Sequence, residues 1–132
     1  MNIGLDIHGV ISLYPEICSD FSLILREAGN TISIITGQEW DKVKEKVDKA
    51  KVTYDHHFSI VDYHREIGTK MWQDEKGRYW MEENIWARSK GDYMLREHID
   101  IHFDDSLEYA KYVPDFTTFV LVPKKNWDPF YL

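Results

Sequence analysis

Ile3-Gly4-Leu5-Asp6-Ile7-His8-Gly9-Val10 is the stretch on which the reading of this chain turns. An apolar run from Ile3 to Leu5 stops on a carboxylate, and Gly9 then breaks the strand pattern. This predicts a short strand over residues 2–6 that ends in an acid. Two further strands also end in polar residues. Residues 31–36 are β-branched and apolar, a buried strand ending at Thr36 before Gly37. Residues 99–104 alternate and end in the pair Asp104-Asp105.

Helices separate these strands. Ile17, Phe21, Ile24, Leu25 and Ala28 carry apolar side chains at helical spacing and predict a helix over residues 16–28. Trp40, Val43, Val47 and Ala50 mark one face of a second helix over 39–50. Residues 52–58 read as a third strand. Ser59 with Asp62 three residues on has the form of a helix cap, and Ile60, Tyr63, His64 and Ile67 continue it at helical spacing. Two aromatic-bearing runs around Gly77 predict a β-hairpin at about 69–82. A helix over 83–98, the strand over 99–104, a short helix over 106–112 and a strand over 116–122 complete the order, with the tail to Leu132 as a surface strap. Strands alternating with helices imply a three-layer α/β/α sandwich on a mainly parallel five-stranded sheet, in one domain with a small hairpin insertion. In such sheets ligands bind outside the carboxyl ends of the strands, so Asp6, Thr36 and Asp104-Asp105 are expected at one edge.

The totals bound the function. The 132 residues suit a single domain, and 43% hydrophobic composition supports a proper core. A net charge of -7 disfavours non-specific nucleic-acid binding, which depends on neutralising phosphates. The lone Cys18 can form no internal disulfide and reads as a core thiol. The N-terminal stretch is interrupted by Asp6 and His8 too early for a signal peptide, and no apolar run is long enough to span a membrane. The expected compartment is the cytosol.

Carboxylates gathered at strand ends suit a hard cation such as Mg²⁺, because oxygen ligands bind it and their mutual repulsion is otherwise costly. Lys90 is placed just before a helix that leads into the Asp104 strand, from where it can reach back to neutralise a phosphate. Singly, each residue also has a plainer reading: Asp6 as a polar strand end, Thr36-Gly37 as a turn, Lys90 as a solvated lysine, Asp104-Asp105 as caps for the next helix.

Taken together, the set resembles the four motifs of the haloacid dehalogenase superfamily. That family's first motif is an apolar strand followed by Asp-x-Asp-Gly-Val/Thr, and here Asp6-Ile7-His8-Gly9-Val10 follows Ile3-Gly4-Leu5. Ile34-Ile35-Thr36-Gly37 is similar to the second motif, Ser89-Lys90-Gly91-Asp92 to the third, and Ile101-His102-Phe103-Asp104-Asp105 to the fourth. The resemblance covers nearly the whole chain, with capless nucleotidase-like and polynucleotide-phosphatase-like members nearest. It implies a Rossmann-like fold and a Mg²⁺-dependent phosphohydrolase. Asp6 would be the nucleophile forming an aspartyl-phosphate. Asp6, Asp104, Asp105 and the main-chain carbonyl of His8 would hold the metal. Thr36, Gly37 and Lys90 would hold the phosphate.

One position departs from the pattern. The second aspartate of the first motif, the family's general acid and base, is His8 here. An imidazole can do both tasks near neutrality. The substitution leaves three readings: a working hydrolase with His8 as acid/base, a slow enzyme that needs a good leaving group such as a phosphoanhydride, or a catalytically weakened pseudoenzyme that binds a phosphorylated ligand. The expected partner is a phosphorylated small molecule or nucleotide, or a nucleic-acid end. The hairpin aromatics Trp72, Tyr79 and Trp80 can select the substrate by stacking, or can simply pair across the hairpin. His56, His57 and His64 offer a weaker transition-metal reading, opposed by the opposite orientation of neighbouring strand residues.

Overall fold

The computed structural model describes residues 1–128. The last four positions of the expected C-terminal strap lie outside the described residues. The chain is a mixed α/β structure in the order β1 (Asn2–Leu5), α1 (Pro15–Glu27), β2 (Thr31–Thr36), α2 (Trp40–Lys49), β3 (His56–Ser59), α3 (Ile60–Glu66), β4 (Trp72–Gln73), β5 (Tyr79–Trp80), α4 (Glu83–Arg96), β6 (Ile101–Asp104) and β7 (Thr118–Leu121). A π-helical turn, Ile7–Ile11, follows β1, and a 3-10 helix, Leu107–Tyr112, follows β6.

Five strands form one sheet in the order β3-β2-β1-β6-β7, every neighbouring pair parallel. Strand alternation sorts the core to both faces. Ile3, Leu5, Ile32 and Ile34 pack with α1 and α2 residues on one side. Ile35, Phe58, Tyr93 and Met94 form the core on the other, with α3 and α4. This is consistent with a Rossmann-like α/β fold. The chain runs outward from β1 to β3, then returns to place β6 on β1's other side. The switch point therefore falls between β1 and β6, where ligand crevices open in such sheets.

Several sequence expectations are corrected. In α1, Ile17 and Ile24 are 66% and 64% exposed, whereas Cys18 and Ser22 are buried with Phe21 and Leu25 packed beside the core. The Ser22 hydroxyl donates to Ser19 O and accepts from Thr53 N, so this polar face turns inward without an unsatisfied group. The third strand begins at His56 rather than at 52, because its pairing with β2 starts at Ser33 opposite His56. Ser59 caps α3 by accepting from Asp62 N. The Asp62 carboxylate does not close the box but accepts from Trp40 N at the start of α2. The hairpin's ladder is limited to β4 and β5, and its turn is held by Asp74, which accepts from Lys76 N, Arg78 N, Arg78 Nε and Trp80 Nε1.

His64 ties the hairpin's root to α4. Its Nδ1 lies 2.8 Å from Thr69 Oγ1 and its Nε2 2.8 Å from Ser89 Oγ. Burial and Arg88 lower its pKa, while Asp92 opposes them. A histidine lowered in the folded state contributes stability that is full above its ordinary value and lost as the pH falls below it. His64→Ala should cost about 1–3 kcal/mol at pH 7 through its stranded partners. The cost should shrink clearly at pH 5. Urea denaturation of both proteins at the two pH values measures this, and an unchanged gap would contradict it.

Candidate active site

The parallel register places the strand-end acids side by side. Leu5 pairs with Phe103, and Asp6 N donates to Phe103 O, so Asp6 and Asp104 flank the switch point. Ligand oxygens of Asp6, Asp104 and Asp105 all lie within 4.8 Å of one another. Asp6 and Asp104 are buried and Asp105 partly so. The π turn allows this approach. Gly9 has φ +85, and a Cβ there would run into the Asp105 carboxylate.

Lys90 lies inside α4, two turns from its start at Glu83, not ahead of a helix as the sequence suggests. The helix buries Ala87, Ser89, Lys90, Gly91, Tyr93 and Met94, with Ala87, Lys90, Gly91 and Met94 at helical spacing on one side. A Cβ on Gly91 would meet the main chain of Tyr112, so this glycine lets the 3-10 helix close over Lys90. Lys90 is 1% exposed. Its Nζ donates to Asp104 Oδ2 at 2.7 Å and to Asp6 Oδ1 at 3.1 Å, and stands 4.3 Å from the centroid of the Tyr109 ring. In this state the ammonium organises the two carboxylates.

The electrostatics follow from three carboxylates facing one buried ammonium. For Asp104 burial favours the neutral form, but Lys90 and His102 outweigh it and hold the carboxyl well below the usual range. The two carboxylates raise the Lys90 pKa despite burial. Asp6 is the surplus acid: burial, together with Asp104 and Asp105, raises it to about 8 against the opposing pull of Lys90. The donor set fits a hard dication, being all oxygen and short of positive charge.

Asp6, His8, Thr36, Gly37, Lys90 and Asp105 line one cavity of about 410 Å³, and Asp104 lies fully buried beside Lys90. Thr36 Oγ1 accepts from Gln38 N, which leaves its O–H to donate. Burial lowers His8 to about 4, with Asp128 opposing and Lys46 and Lys90 assisting. A neutral imidazole is a proton acceptor. Tyr79 and Trp80 line a neighbouring cavity, whereas Trp72 lines neither of these two. His56 and His57 are exposed, and the His57 ring stacks on Trp40 at 4.0 Å, so these two and His64 do not converge on a metal.

Sequence reasoning missed four contributors. His102 is fully buried and lies 2.9 Å through Nε2 from Asp104 Oδ2. Its position two residues before Asp104 on a strand was a usable signal, because both then share a face. Trp86, one turn before Lys90, packs on Gly37 and donates to Tyr109 Oη. Tyr109 gave no local signal. Asp128 accepts from Gly9 N and Ser12 Oγ, which brings the C-terminal strap to the cavity rim with Lys124 and Lys125.

Fold and site together define an α/β protein with a carboxylate–lysine cluster at the switch point of a parallel sheet. No protein-family model matches the chain, and no curated protein is detectably similar to it in sequence. Among the described residues no helix is long and apolar enough to cross a membrane.

Proposed function

We propose that this protein is a Mg²⁺-dependent phosphohydrolase of the haloacid dehalogenase type, with little or no cap, acting on a phosphomonoester through an aspartyl-phosphate. The observation that carries the reading is the meeting of Asp6 with Asp104 and Asp105 at adjacent strand ends, joined by the buried Lys90. Asp6, Asp104, Asp105 and the His8 carbonyl would hold Mg²⁺, which when bound supplies the positive charge that favours the Asp6 carboxylate and offsets phosphoryl charge. Among the described residues both hydrogen bonds to the Asp6 side chain fall on Oδ1, from Ile7 N and Lys90 Nζ, so Oδ2 is the oxygen available to attack. A P–O bond forms to Asp6 as the ester P–O bond breaks, and the leaving oxygen takes a proton from solvent water, whose hydroxide is neutralised by the proton that His8 returns to solvent after the second step. Water then attacks the aspartyl-phosphate, gives up a proton to His8, and releases phosphate with Asp6 restored. Thr36 O–H and the backbone at Gly37 line the same cavity and would hold the phosphoryl oxygens.

A second reading, a binding protein for a phosphorylated ligand, is favoured by the imidazole at His8 where the family's acid stands. One screen separates the two. Phosphate release is measured with Mg²⁺ and with chelator on nucleotides, sugar phosphates and phosphorylated oligonucleotides. The hydrolase reading expects Mg²⁺-dependent release on at least one class. Inertness on all, with turnover appearing in His8→Asp, would establish the binding reading instead.

A further inference from the structure

A cavity of about 530 Å³ adjoins the catalytic one, and the two share Gly37, Gln38, Trp86 and Glu108 as common walls. A leaving group attached to a phosphate at Asp6 would reach the second cavity across the Gly37–Trp86 wall. Three aromatic side chains line this second cavity: Tyr79 and Trp80 from the hairpin and Trp86 from α4.

These rings are held in advance. Trp86 donates to Tyr109 Oη at 3.0 Å, and its ring packs so closely on Gly37 that a Cβ there would lie 2.7 Å away. Trp80 Nε1 donates to Asp74 Oδ2 at 3.0 Å, yet the residue is 47% exposed, so its ring is fixed while part of its surface stays open. The Arg65 guanidinium lies 4.7 Å from the Tyr79 centroid. Rings ordered before binding cost a ligand little side-chain entropy.

The catalytic cavity carries both signs of charge, Lys90, Lys124 and Lys125 alongside Asp6, Asp105, Glu108 and Asp128. The cations of the second, Lys42 and Arg78, are engaged by Glu39 and Asp74. Its remaining acids are Glu83 and Glu108. Such a wall repels a second phosphate and accepts hydrogen bonds from N–H groups.

We propose that this cavity binds the leaving group, and that the leaving group is a flat, uncharged aromatic bearing N–H donors, as in a nucleoside monophosphate, and not the phosphate-linked neighbour in a nucleic-acid strand. The proposal rests on the phosphohydrolase reading for the role of the cavity, but its binding claim is tested apart from turnover. Calorimetry with adenosine 5′-monophosphate, guanosine 5′-monophosphate and unphosphorylated adenosine should give saturable binding. Trp80→Ala should weaken it about tenfold or more and Trp80→Phe should largely restore it. Trp80 is half exposed, so both variants should fold. In kinetics, Trp80→Ala should lower kcat/KM on the nucleotides at least tenfold more than on glycerol phosphate, mainly through KM. Absence of nucleotide binding overturns the proposal, as does tighter binding of a 5′-phosphorylated oligonucleotide than of the mononucleotide. Absence of all turnover with Trp80-dependent nucleotide binding retained overturns the hydrolase reading and supports the pocket.

Discussion

Lys90→Met is expected to destabilise the protein by roughly 3–5 kcal/mol at pH 7, the range for removing one partner of a buried ion pair. Methionine keeps most of the stem's volume and loses the charge. Asp104, 0% exposed, would then face Asp6 without an ammonium 2.7 Å away. The sign of the pH dependence comes from Asp104. Its carboxyl is held below the ordinary value in the folded protein, so its contribution is present above the unfolded value and lost as the pH falls through the folded one. In the variant the same carboxyl is buried without a cation, and protonation relieves it. The gap between wild type and variant should therefore be widest near neutrality and narrow towards pH 4. Guanidinium denaturation in chelator at pH 7 and pH 4.5 measures this. A gap below about 1 kcal/mol, or one that does not change, would show that Lys90 is not the partner that makes Asp104 tolerable.

Asp6→Asn should abolish phosphate release, by on the order of ten-thousandfold or more, the scale on which covalent nucleophiles matter. The same change should not harm the metal-free fold. Asp6 is held raised at about 8, first by burial and then by Asp104 and Asp105. A carboxyl raised in the folded state favours folding at low pH and opposes it increasingly as the pH rises from about 4 through 8. The asparagine lacks that slope. Metal-free Tm at pH 9 should accordingly be equal or higher in the variant, while at pH 5 the two should nearly coincide. Retained hydrolysis in Asp6→Asn would remove Asp6 from the chemistry. A fall in Tm at pH 9 would show that its carboxylate stabilises the fold instead.

The two predictions share one origin. Lys90 and Asp104 form a neutral pair, and Asp6 with Asp105 is the acid left over. A site so composed is short of positive charge. This is the physical reason it suits a dication and a phosphoryl group together, and why removing Lys90 and removing Asp6 should act in opposite directions on stability.

The sequence by itself determined the local elements and the identity of the acids. Strands ending just before Asp6 and on Thr36 and Asp104, the Ser59 cap and the hairpin about Gly77 were legible because apolar period, capping and turn chemistry act within a few residues. Which neighbours those elements acquire was not legible. Strands β1, β2 and β6 have interchangeable apolar faces, so only packing of the whole sheet sets the order that brings Asp6 beside Asp104. Helix α1 carries apolar side chains on both sides, and the Ser22–Thr53 hydrogen bond accompanies the inward turn of the face that hydropathy ranks lower. Lys90 reads from the sequence as a phosphate ligand or, taken singly, as a solvated lysine; its burial between two carboxylates, beside Gly91 and Tyr109, is seen only in the fold. The chemistry was written in residue types at strand ends; the burial that gives those residues shifted charge states comes from segments as far as 84 and 119 positions away, and only the tertiary structure brings them together.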